Sequence, residues 1–316
     1  VVGNLTLDGT LNLFNMGGMS PGVYRLISYG GTLVDNGLDI GTSLPARFVP
    51  GDFAVDTSTA GQVNLLAQSG GFALQFWDGA NTTPNGAVDG GDGTWTAAPA
   101  TWTGVDGVVN APWQSGFAVF QGAAGTVTMG EDIALQGMQF RSGGYTIAGA
   151  GFTLAGEPET LVNIETRVTA TVDAAIVDGA GGPARLVMSG SGLLVLGGTN
   201  TYSGGTALNS GALQVASDSN LGDPAGALSL NSATLITTGS FDSTRAVTIG
   251  ADGGSFATED ATTLTLSGAI DGPGVLGKVG TGTLVLAGSN NYQGGTFLGN
   301  GVLHAGRDGK LGAPSA

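Results

Sequence analysis

Glycine is the residue that most restricts what this chain can fold into. The sequence has 316 residues, of which 60 are Gly, and a Gly falls within almost every stretch of ten residues. A Gly inside a helix costs about 1 kcal/mol relative to Ala, so helices of ordinary length are excluded over most of the chain. We therefore expect a structure made of strands and turns.

The apolar residues follow the pattern of short strands. Leu5-Thr6-Leu7, Val127-Thr128-Met129 and Leu264-Thr265-Leu266 alternate apolar and polar residues, and such stretches are bounded by Gly, Asn, Asp or Ser. Alternation with period two is typical of half-buried strands. The sequence therefore predicts an all-β fold.

An internal repeat indicates how the strands are arranged. Residues 190–224 align without a gap on residues 280–314, and 18 of these 35 positions are identical. Within the first copy, residues 193–196, 205–209 and 212–216 are three candidate strands separated by Gly-rich corners. Three strands in about 20–25 residues make one rung of a parallel β-solenoid, and the whole chain would hold about 13–15 three-stranded rungs.

No Pro/Ser-rich linker or block of charge divides the chain, so we expect one β-helical domain over residues 1–316. Within it we distinguish N-terminal rungs (1–75), a Trp/Asp/Gly-rich segment (76–130) and regular repeats (131–316).

Charge and cysteine content exclude several functions. The formal net charge is −15, with only nine Lys and Arg, which disfavours binding to nucleic acid. The absence of Cys excludes disulfides, thiolate metal sites and Cys nucleophiles. No apolar stretch approaches the roughly 20 residues that a membrane-spanning helix needs.

The repeat resembles a known family. Residues Gly282 to Thr296 match the motif G-x-L-x-L-x-G-x-N-x-Y-x-G-G-T, and together with the first copy and Arg245–Thr296 they are similar to the autotransporter-associated β-strand repeat of Gram-negative type V secretion. The resemblance implies a right-handed parallel β-helix whose C-terminal rungs aid export and folding. It also implies export through the periplasm and the outer membrane by the protein's own translocator barrel, and display on the cell surface or release. Because a linker helix and a barrel would follow in such a protein, we expect this chain to be a cut fragment.

Three functions are compatible with these observations. The first is a non-catalytic surface passenger that acts as stalk, folding template and adhesin, with a host-cell or matrix receptor or glycan, or another copy of itself, as partner. The second is a glycan-binding module, and the third is a β-helical polysaccharide hydrolase or lyase.

The tryptophans provide the candidate ligand site. All four lie within 37 residues, beside several Asp, and ring stacking with nearby polar groups is how proteins bind sugars. Stacked core aromatics would give the same pattern, and an Asp before a Gly is ordinary turn chemistry. The candidate residues are Trp77, Asp78, Trp95, Trp102 and Trp113, and further Asp residues of the same segment, considered as a glycosidase pair, are Asp89, Asp92 and Asp106.

The repeated polar residues predict corners of the solenoid rather than a binding site. They recur with the Gly-Gly-Thr that turns the chain. These structural repeat residues are Asn200, Tyr202, Gly204, Gly205 and Thr206 in the first copy and Asn290, Tyr292, Gly294, Gly295 and Thr296 in the second.

Other catalytic patterns lack their context. Residues 18–22 match G-x-S-x-G without a nearby His, and residues 272–277 match G-x-G-x-x-G without a following helix. The single histidine, His304, aligns with Gln214 of the first copy. We therefore expect no catalytic residue, no metal and no cofactor.

Overall fold

The fold was determined from a computed structural model, which describes residues 1–14, 19–45, 48–68, 73–156, 158–306 and 311–312. These residues form 35 strands and two short 3-10 helices, Pro50–Asp52 and Asp218–Leu221. In the described part of the chain, no helix has the length and apolar content needed to cross a bilayer. The all-β prediction is confirmed.

Seven strands form the N-terminal part. They are β1 (Leu5–Leu7), β2 (Thr10–Leu11), β3 (Gly22–Ser28), β4 (Leu33–Asp35), β5 (Asp39–Ile40), β6 (Phe53–Asp56) and β7 (Gln62–Ala67).

The remaining strands build the solenoid. Its first half contains β8 (Leu74–Trp77), β9 (Gly93–Trp95), β10 (Trp102–Thr103), β11 (Asn110–Ala111), β12 (Phe117–Phe120), β13 (Thr126–Met129), β14 (Ile133–Leu135), β15 (Gly137–Phe140), β16 (Tyr145–Gly149), β17 (Phe152–Leu154), β18 (Glu159–Ile164), β19 (Thr169–Val172), β20 (Ile176–Asp178) and β21 (Arg185–Gly190). Its second half contains β22 (Leu193–Leu196), β23 (Thr206–Leu208), β24 (Gly211–Val215), β25 (Leu228–Leu230), β26 (Ala233–Thr237), β27 (Phe241–Ser243), β28 (Val247–Ile249), β29 (Gly254–Thr258), β30 (Thr263–Leu266), β31 (Ile270–Asp271), β32 (Leu276–Val279), β33 (Thr283–Leu286), β34 (Thr296–Leu298) and β35 (Val302–Ala305).

The solenoid has three faces, each a stack of parallel strands. The first face is β8-β12-β15-β18-β21-β23-β25-β28-β31, and the second is β9-β13-β16-β19-β22-β24-β26-β29-β32-β34. The third face is formed by β14-β17-β20 and, farther along, by β27-β30-β33-β35. The chain thus visits the three faces in turn, as a parallel β-solenoid requires. Its right-handed sense stays a prediction.

The length of a turn follows from the register of paired strands. The number of residues in a turn is the sequence separation between two residues paired on adjacent strands. Among the regular turns this separation is short for the pair Leu193 and Ala212 and long for the pair Thr160 and Leu186. These separations are close to the predicted rung size. The predicted number of 13–15 rungs is wrong, because the solenoid has about nine turns.

Two stretches account for the missing rungs. Leu74 pairs with Phe117, a step far longer than a regular turn, and β10 and β11 in this insertion add to β8 in antiparallel sense. Before the solenoid, β3, β7 and β6 form an antiparallel sheet, and only β1-β4 and β2-β5 pair in parallel. Dividing the length of the chain by the rung length overlooks both.

The two repeat copies occupy different faces. β22 and β24 of the first copy lie on the second face, whereas β33 and β35 of the second copy lie on the third face. From β22 the second face continues through β24, β26 and β29 to β32, which is four turns on, and β33 is the next strand of the chain. The second copy is therefore rotated around the axis by one face.

One hydrophobic core runs along the solenoid axis from Trp77 to Tyr292. The sequence predicts that eight repeat leucines point into it. Six are buried in it (Leu194, Leu196, Leu208, Leu213, Leu284 and Leu286), and Leu303 packs against it. Leu298 is 52% exposed, so that expectation is wrong for this residue. Among the described strands, β34 pairs with β32 alone, whereas β23, which carries Leu208, has a partner strand on each side.

The equivalent leucines Leu208 and Leu298 give a matched test of the core. Leu208→Ala removes a side chain that is 0% exposed, and we expect it to lower the free energy of unfolding by about 2–5 kcal/mol. Leu298→Ala should cost about 1 kcal/mol, because half of that side chain is already in water. Urea denaturation followed by circular dichroism measures both. Equal losses for the two variants would contradict the solenoid register.

Candidate functional site

The four tryptophans form a buried aromatic cluster at the N-terminal end of the solenoid core. Ring centroids of Trp95 and Trp102 are 4.7 Å apart, those of Trp102 and Trp113 are 4.6 Å apart, and Trp77 lies 5.3 Å from Trp102. The cluster continues into the core through Phe120, 5.9 Å from Trp95. It therefore closes this end of the core, where no earlier parallel turn of the described chain covers β8.

Burial decides what these rings can do. Trp77, Trp95 and Trp102 are 0% exposed and Trp113 is 7% exposed. The indole nitrogens of Trp77 and Trp113 donate to the backbone oxygens of Gly91 and Ala134. Stacking against a sugar needs an open ring face, so this arrangement does not support the glycan site predicted at these rings.

Asp78 is also occupied within the fold. Its side chain accepts hydrogen bonds from the backbone N–H of Asp89 at 2.8 Å and from Nδ2 of Asn110 at 2.9 Å. The residue is 1% exposed. Its carboxylate therefore joins the loop before Asp89 to β11 and is not available to a ligand.

The other Asp residues of this segment hold loops together. Asp89 accepts from Nδ2 of Asn81 and Asn85, Asp92 accepts from the N–H of Thr126, and Asp106 accepts from the N–H of Val108. The glycines after Asp78, Asp89 and Asp106 have positive φ (66°, 70° and 69°), as tight turns require. Asp92 differs, because the Gly after it begins β9. This use of the carboxylates favours structural roles over a glycosidase pair.

Among the described residues, the structure does not bring a catalytic partner to the Ser of the G-x-S-x-G pattern or to the single histidine. Gly18 lies outside the described residues, and Ser20 forms hydrogen bonds with Tyr24. His304 lies on β35, where it pairs with Val285. Within the described ranges, no group of three or more His, Cys, Asp or Glu could hold a metal ion.

Asn200 connects three consecutive turns at a corner. Its Oδ1 accepts from the N–H of Ile176 at 2.9 Å, and its Nδ2 donates to the backbone oxygen of Asn220 at 2.6 Å. In the second copy, Oδ1 of Asn290 accepts from the N–H of Ile270 at 3.2 Å. Because the corner is buried, these backbone groups would otherwise lack partners.

The repeated tyrosine and threonine form a second link between turns. The Tyr202 hydroxyl lies 2.7 Å from Oγ1 of Thr206, which donates to the backbone oxygen of Leu221 at 3.2 Å. Tyr292, Thr296 and Leu311 repeat this arrangement in the second copy. The same contacts recur in both copies although the copies lie on different faces.

The Gly-Gly pair before each threonine is required by space and by backbone angle. A Cβ at Gly204 would overlap the backbone of Ala184, and one at Gly294 would overlap the backbone of Gly274 in the turn below. The second glycines, Gly205 and Gly295, have φ of +85° and +76°. Only Gly adopts such angles at little cost, so the chain can turn here without separating adjacent turns.

Arg245 makes polar contacts that the repeat pattern does not predict, because the residue lies between the two repeat copies and not within either of them. It is 2% exposed, and its guanidinium contacts both carboxylate oxygens of Asp218, at 3.0 and 3.1 Å. It also donates to the backbone oxygens of Asp218, Gly222, Asp223 and Gly226. Arg245 thus holds the corner of the preceding turn.

A polar cleft of about 410 Å³ lies where the N-terminal sheet meets the first turns of the solenoid. Arg25 of β3 and the turn before β7 form one wall, and the residues that follow β12, β15 and β18 form the other. Loop residues near Ala87 and Asp106 complete it. We call it the Arg25–Arg141 cleft. Of the sequence-predicted site residues, only Asp106 lines it.

Removal of the buried guanidinium tests the role of Arg245. Arg245→Met leaves Asp218 and several backbone oxygens without their donor, and we expect a loss of about 3–5 kcal/mol in the free energy of unfolding. Arg185→Met is the control, because Arg185 is 37% exposed and lies 4.0 Å from Glu159, and it should change stability by about 1 kcal/mol or less. Urea denaturation distinguishes the two, and equal small losses would contradict the role of Arg245.

Tyr145 makes stability depend on pH. Burial raises the pKa of its hydroxyl from 10.0 to about 12, and the hydroxyl donates to the backbone oxygen of Gln121 at 2.7 Å. Between these pH values the unfolded chain loses the proton while the folded chain keeps it, so the stability present below pH 10 is lost as pH rises towards 12. Tyr145→Phe should therefore show a smaller decrease in melting temperature over this range. Identical decreases in both proteins, each measured relative to its own value at neutral pH, would contradict the assignment.

Comparison with known proteins agrees with this architecture. The profile of the passenger-associated-transport-repeat family matches residues 186–215 and 276–305, which contain β22, β24, β33 and β35. The adhesin BmaC autotransporter of Brucella suis biovar 1 (strain 1330) is 43% identical over 325 residues, which cover 96% of this chain and 9% of that protein. The chain thus spans about a tenth of the length of this relative. No solved structure matches the chain significantly. The repeats and this relative together support an autotransporter passenger domain that carries the passenger-associated transport repeat.

Proposed function

We propose that this chain is a non-catalytic segment of a surface-displayed autotransporter passenger, which serves as a stalk and as a folding template and takes part in adhesion. The observation that carries the proposal is the continuous core, in which both repeat copies are stacked through the same Asn, Tyr and Thr contacts. A column of about nine such turns is rigid along its axis, because each turn is bonded to the next.

The adhesion role is supported by the relative, whose name describes it as an adhesin. In the proposal the passenger reaches the cell surface through the periplasm and through its own outer-membrane translocator barrel. Its partner is a host-cell or matrix receptor or a glycan. Another copy of the passenger is a further proposed partner. The folding role is supported by the regular turns of residues 185–305, whose stacked parallel strands offer edges on which a new turn can pair.

The absence of catalysis is proposed from the state of the candidate groups. The carboxylates of Asp78, Asp89 and Asp92 accept hydrogen bonds from the chain itself. A hydrolase of this class needs two carboxyls facing a substrate across about 5–9 Å, with one of them free to donate a proton. Because these carboxylates already accept hydrogen bonds within the loops, a structural scaffold is favoured over a hydrolase.

Surface display tests the proposed function. Bacteria that carry the chain on a heterologous translocator barrel should adhere to host cells more than bacteria that carry the barrel alone. His304→Gln, and Asp89→Asn combined with Asp92→Asn, should leave adherence unchanged within the error of the assay. Adherence no higher than that of the empty barrel would contradict the adhesion role. Turnover of pectin or peptidoglycan by the purified chain, lost in the double Asp variant, would show a hydrolase instead.

A further inference from the structure

The Arg25–Arg141 cleft contains two arginines of an otherwise strongly acidic chain. The sequence has nine Lys and Arg against 24 Asp and Glu, yet two guanidiniums face one cleft of about 410 Å³. They come from different parts of the fold, since Arg25 lies on β3 and Arg141 directly follows β15. Packing of the N-terminal sheet against the solenoid is what brings them together.

That packing is specified by hydrogen bonds. Gln139 on β15 accepts from the backbone N–H of Val23 at 2.8 Å and donates to the backbone oxygen of Val23 at 3.0 Å. Val23 is two residues before Arg25, and Gln139 is two residues before Arg141. Because each arginine is two residues away from a member of this bonded pair, the two hydrogen bonds set the relative position of the chain segments that carry the arginines.

Arg141 is held in place before any ligand arrives. Its Nε contacts Oε1 of Glu165 at 2.8 Å, its Nη1 donates to Oε1 of Gln121 at 2.7 Å, and its side chain is 7% exposed. Gln121, Arg141 and Glu165 follow the paired residues Phe120, Phe140 and Ile164, so they form a stack across three turns. Within the described residues, Nη2 of Arg141 has no hydrogen-bond acceptor.

Arg25 is oriented from the other wall. Its Nε donates to Oδ1 of Asn64 at 2.9 Å, and Nδ2 of Asn64 donates to Oδ2 of Asp56 at 3.1 Å. Its Nη1 reaches the Ser28 hydroxyl at 3.4 Å, and its Nη2 has no acceptor in the described part of the chain. Burial and then the charge of Arg141 lower the pKa of Arg25, while Glu165 opposes this effect.

The cleft therefore presents two guanidinium NH2 groups, Nη2 of Arg25 and Nη2 of Arg141, that have no acceptor among the described residues, and two carboxylates, Glu165 and Asp106, line it as well. Glu165 is engaged with Arg141, and Asp106 accepts from the N–H of Val108. A carboxylate is the partner that two such donors fit, because charge-assisted hydrogen bonds from arginine to carboxylate are short and geometrically specific.

The rest of the lining indicates a sugar as the bearer of that carboxylate. Hydroxyl and amide side chains and open backbone surround the arginines, next to a small apolar patch. The cleft volume of about 410 Å³ is at the lower end of the range of about 300–1,000 Å³ seen for small-ligand sites. The polar residues are Ser58, Thr59, Gln62, Gln121 and Ser142, and the apolar ones are Ala87, Val88 and Val105.

We propose that the Arg25–Arg141 cleft binds a carboxylated sugar, with Arg25 and Arg141 as the carboxylate ligands and the hydroxyl and amide groups as partners of the ring hydroxyls. This inference names a ligand class for the adhesion role and in that respect rests on the proposed function. The ligand class has two sources, sialic acids and uronic acids, which share the carboxylate.

Titration of the purified chain with defined oligosaccharides tests the inference. Saturation-transfer NMR would compare sialyllactose, a glucuronic-acid-containing tetrasaccharide, lactose as the neutral control and an oligo-aspartate peptide as the acidic protein control. We expect saturable binding of one or both carboxylated sugars, weaker at high salt, and no binding of lactose. The two acidic sugars distinguish the sources.

Variants then locate the binding. Arg25→Gln should weaken binding about tenfold or more through the loss of a charge-assisted hydrogen bond, and so should Arg141→Lys, which retains the charge but not the planar fork. Arg185→Gln is the matched control, since Arg185 lies on β21 away from the cleft, and it should bind as the unchanged chain does. Circular dichroism of Arg25→Gln, whose residue is exposed, checks that the fold is retained.

Each contrary result has a defined meaning. No saturable binding of either acidic sugar, binding unchanged in Arg25→Gln and Arg141→Lys, or binding of the peptide alone would overturn the inference. If the sugars fail to bind while displayed chain still promotes adherence, the proposed function stands without it. If the sugars bind but adherence does not increase, the ligand site stands and the adhesion role fails.

Discussion

Parallel pairing of each turn with the next is the interaction on which the rest of the structure depends. It supplies backbone partners for strands as short as two or three residues, such as β31 and β23, which would not be stable alone. It also places equivalent side chains above one another, so one apolar position per strand becomes a ladder such as Leu213, Leu235 and Phe256. Close stacking in turn excludes a Cβ at corners such as Gly204, and this is why so much glycine is compatible with an ordered fold.

Polar groups at the corners and ends complete this core. Asn200, Thr206 and Arg245 satisfy backbone oxygens or N–H groups that the strand ladders leave free. Lys278 does the same near the last turns: its Nζ donates to the backbone oxygens of Val279, Gly280 and Asn300, and burial lowers its pKa. Lys278 lies in the family match 276–305, and the equivalent residue of the match 186–215 is Met188, which is an ordinary core side chain. At that position the core thus accepts either an apolar side chain or an amine that finds carbonyl partners.

The two ends of the described solenoid differ in how they are closed. At the N-terminal end, the insertion between β8 and β12 supplies antiparallel strands and three indole rings, which together with Trp77 of β8 cover the first turn. The N-terminal antiparallel sheet then packs beside these turns through Gln139 and Val23, which creates the Arg25–Arg141 cleft. At the other end, Phe297 and Leu298 of β34 are more than half exposed. The sites that can meet a ligand therefore lie where the regular repeat is interrupted, since the regular turns use their polar groups on each other.

The sequence by itself determined the all-β class, the parallel solenoid and the rung length, because these follow from local periodicity and from a repeat with fixed spacing. It also predicted a structural use of Asn200, Tyr202 and the Gly-Gly-Thr corner. Only the tertiary structure decided the number of turns, the burial of the tryptophans and the one-face rotation between repeat copies. A stretch of Trp, Asp and Gly has the same composition whether its rings face water or the core. The number of residues between the two copies does not by itself show that the second copy lies slightly more than four turns after the first. The meeting of Arg25 with Arg141, which lie far apart in the sequence, depends on how one sheet packs against another, and no local pattern encodes that contact.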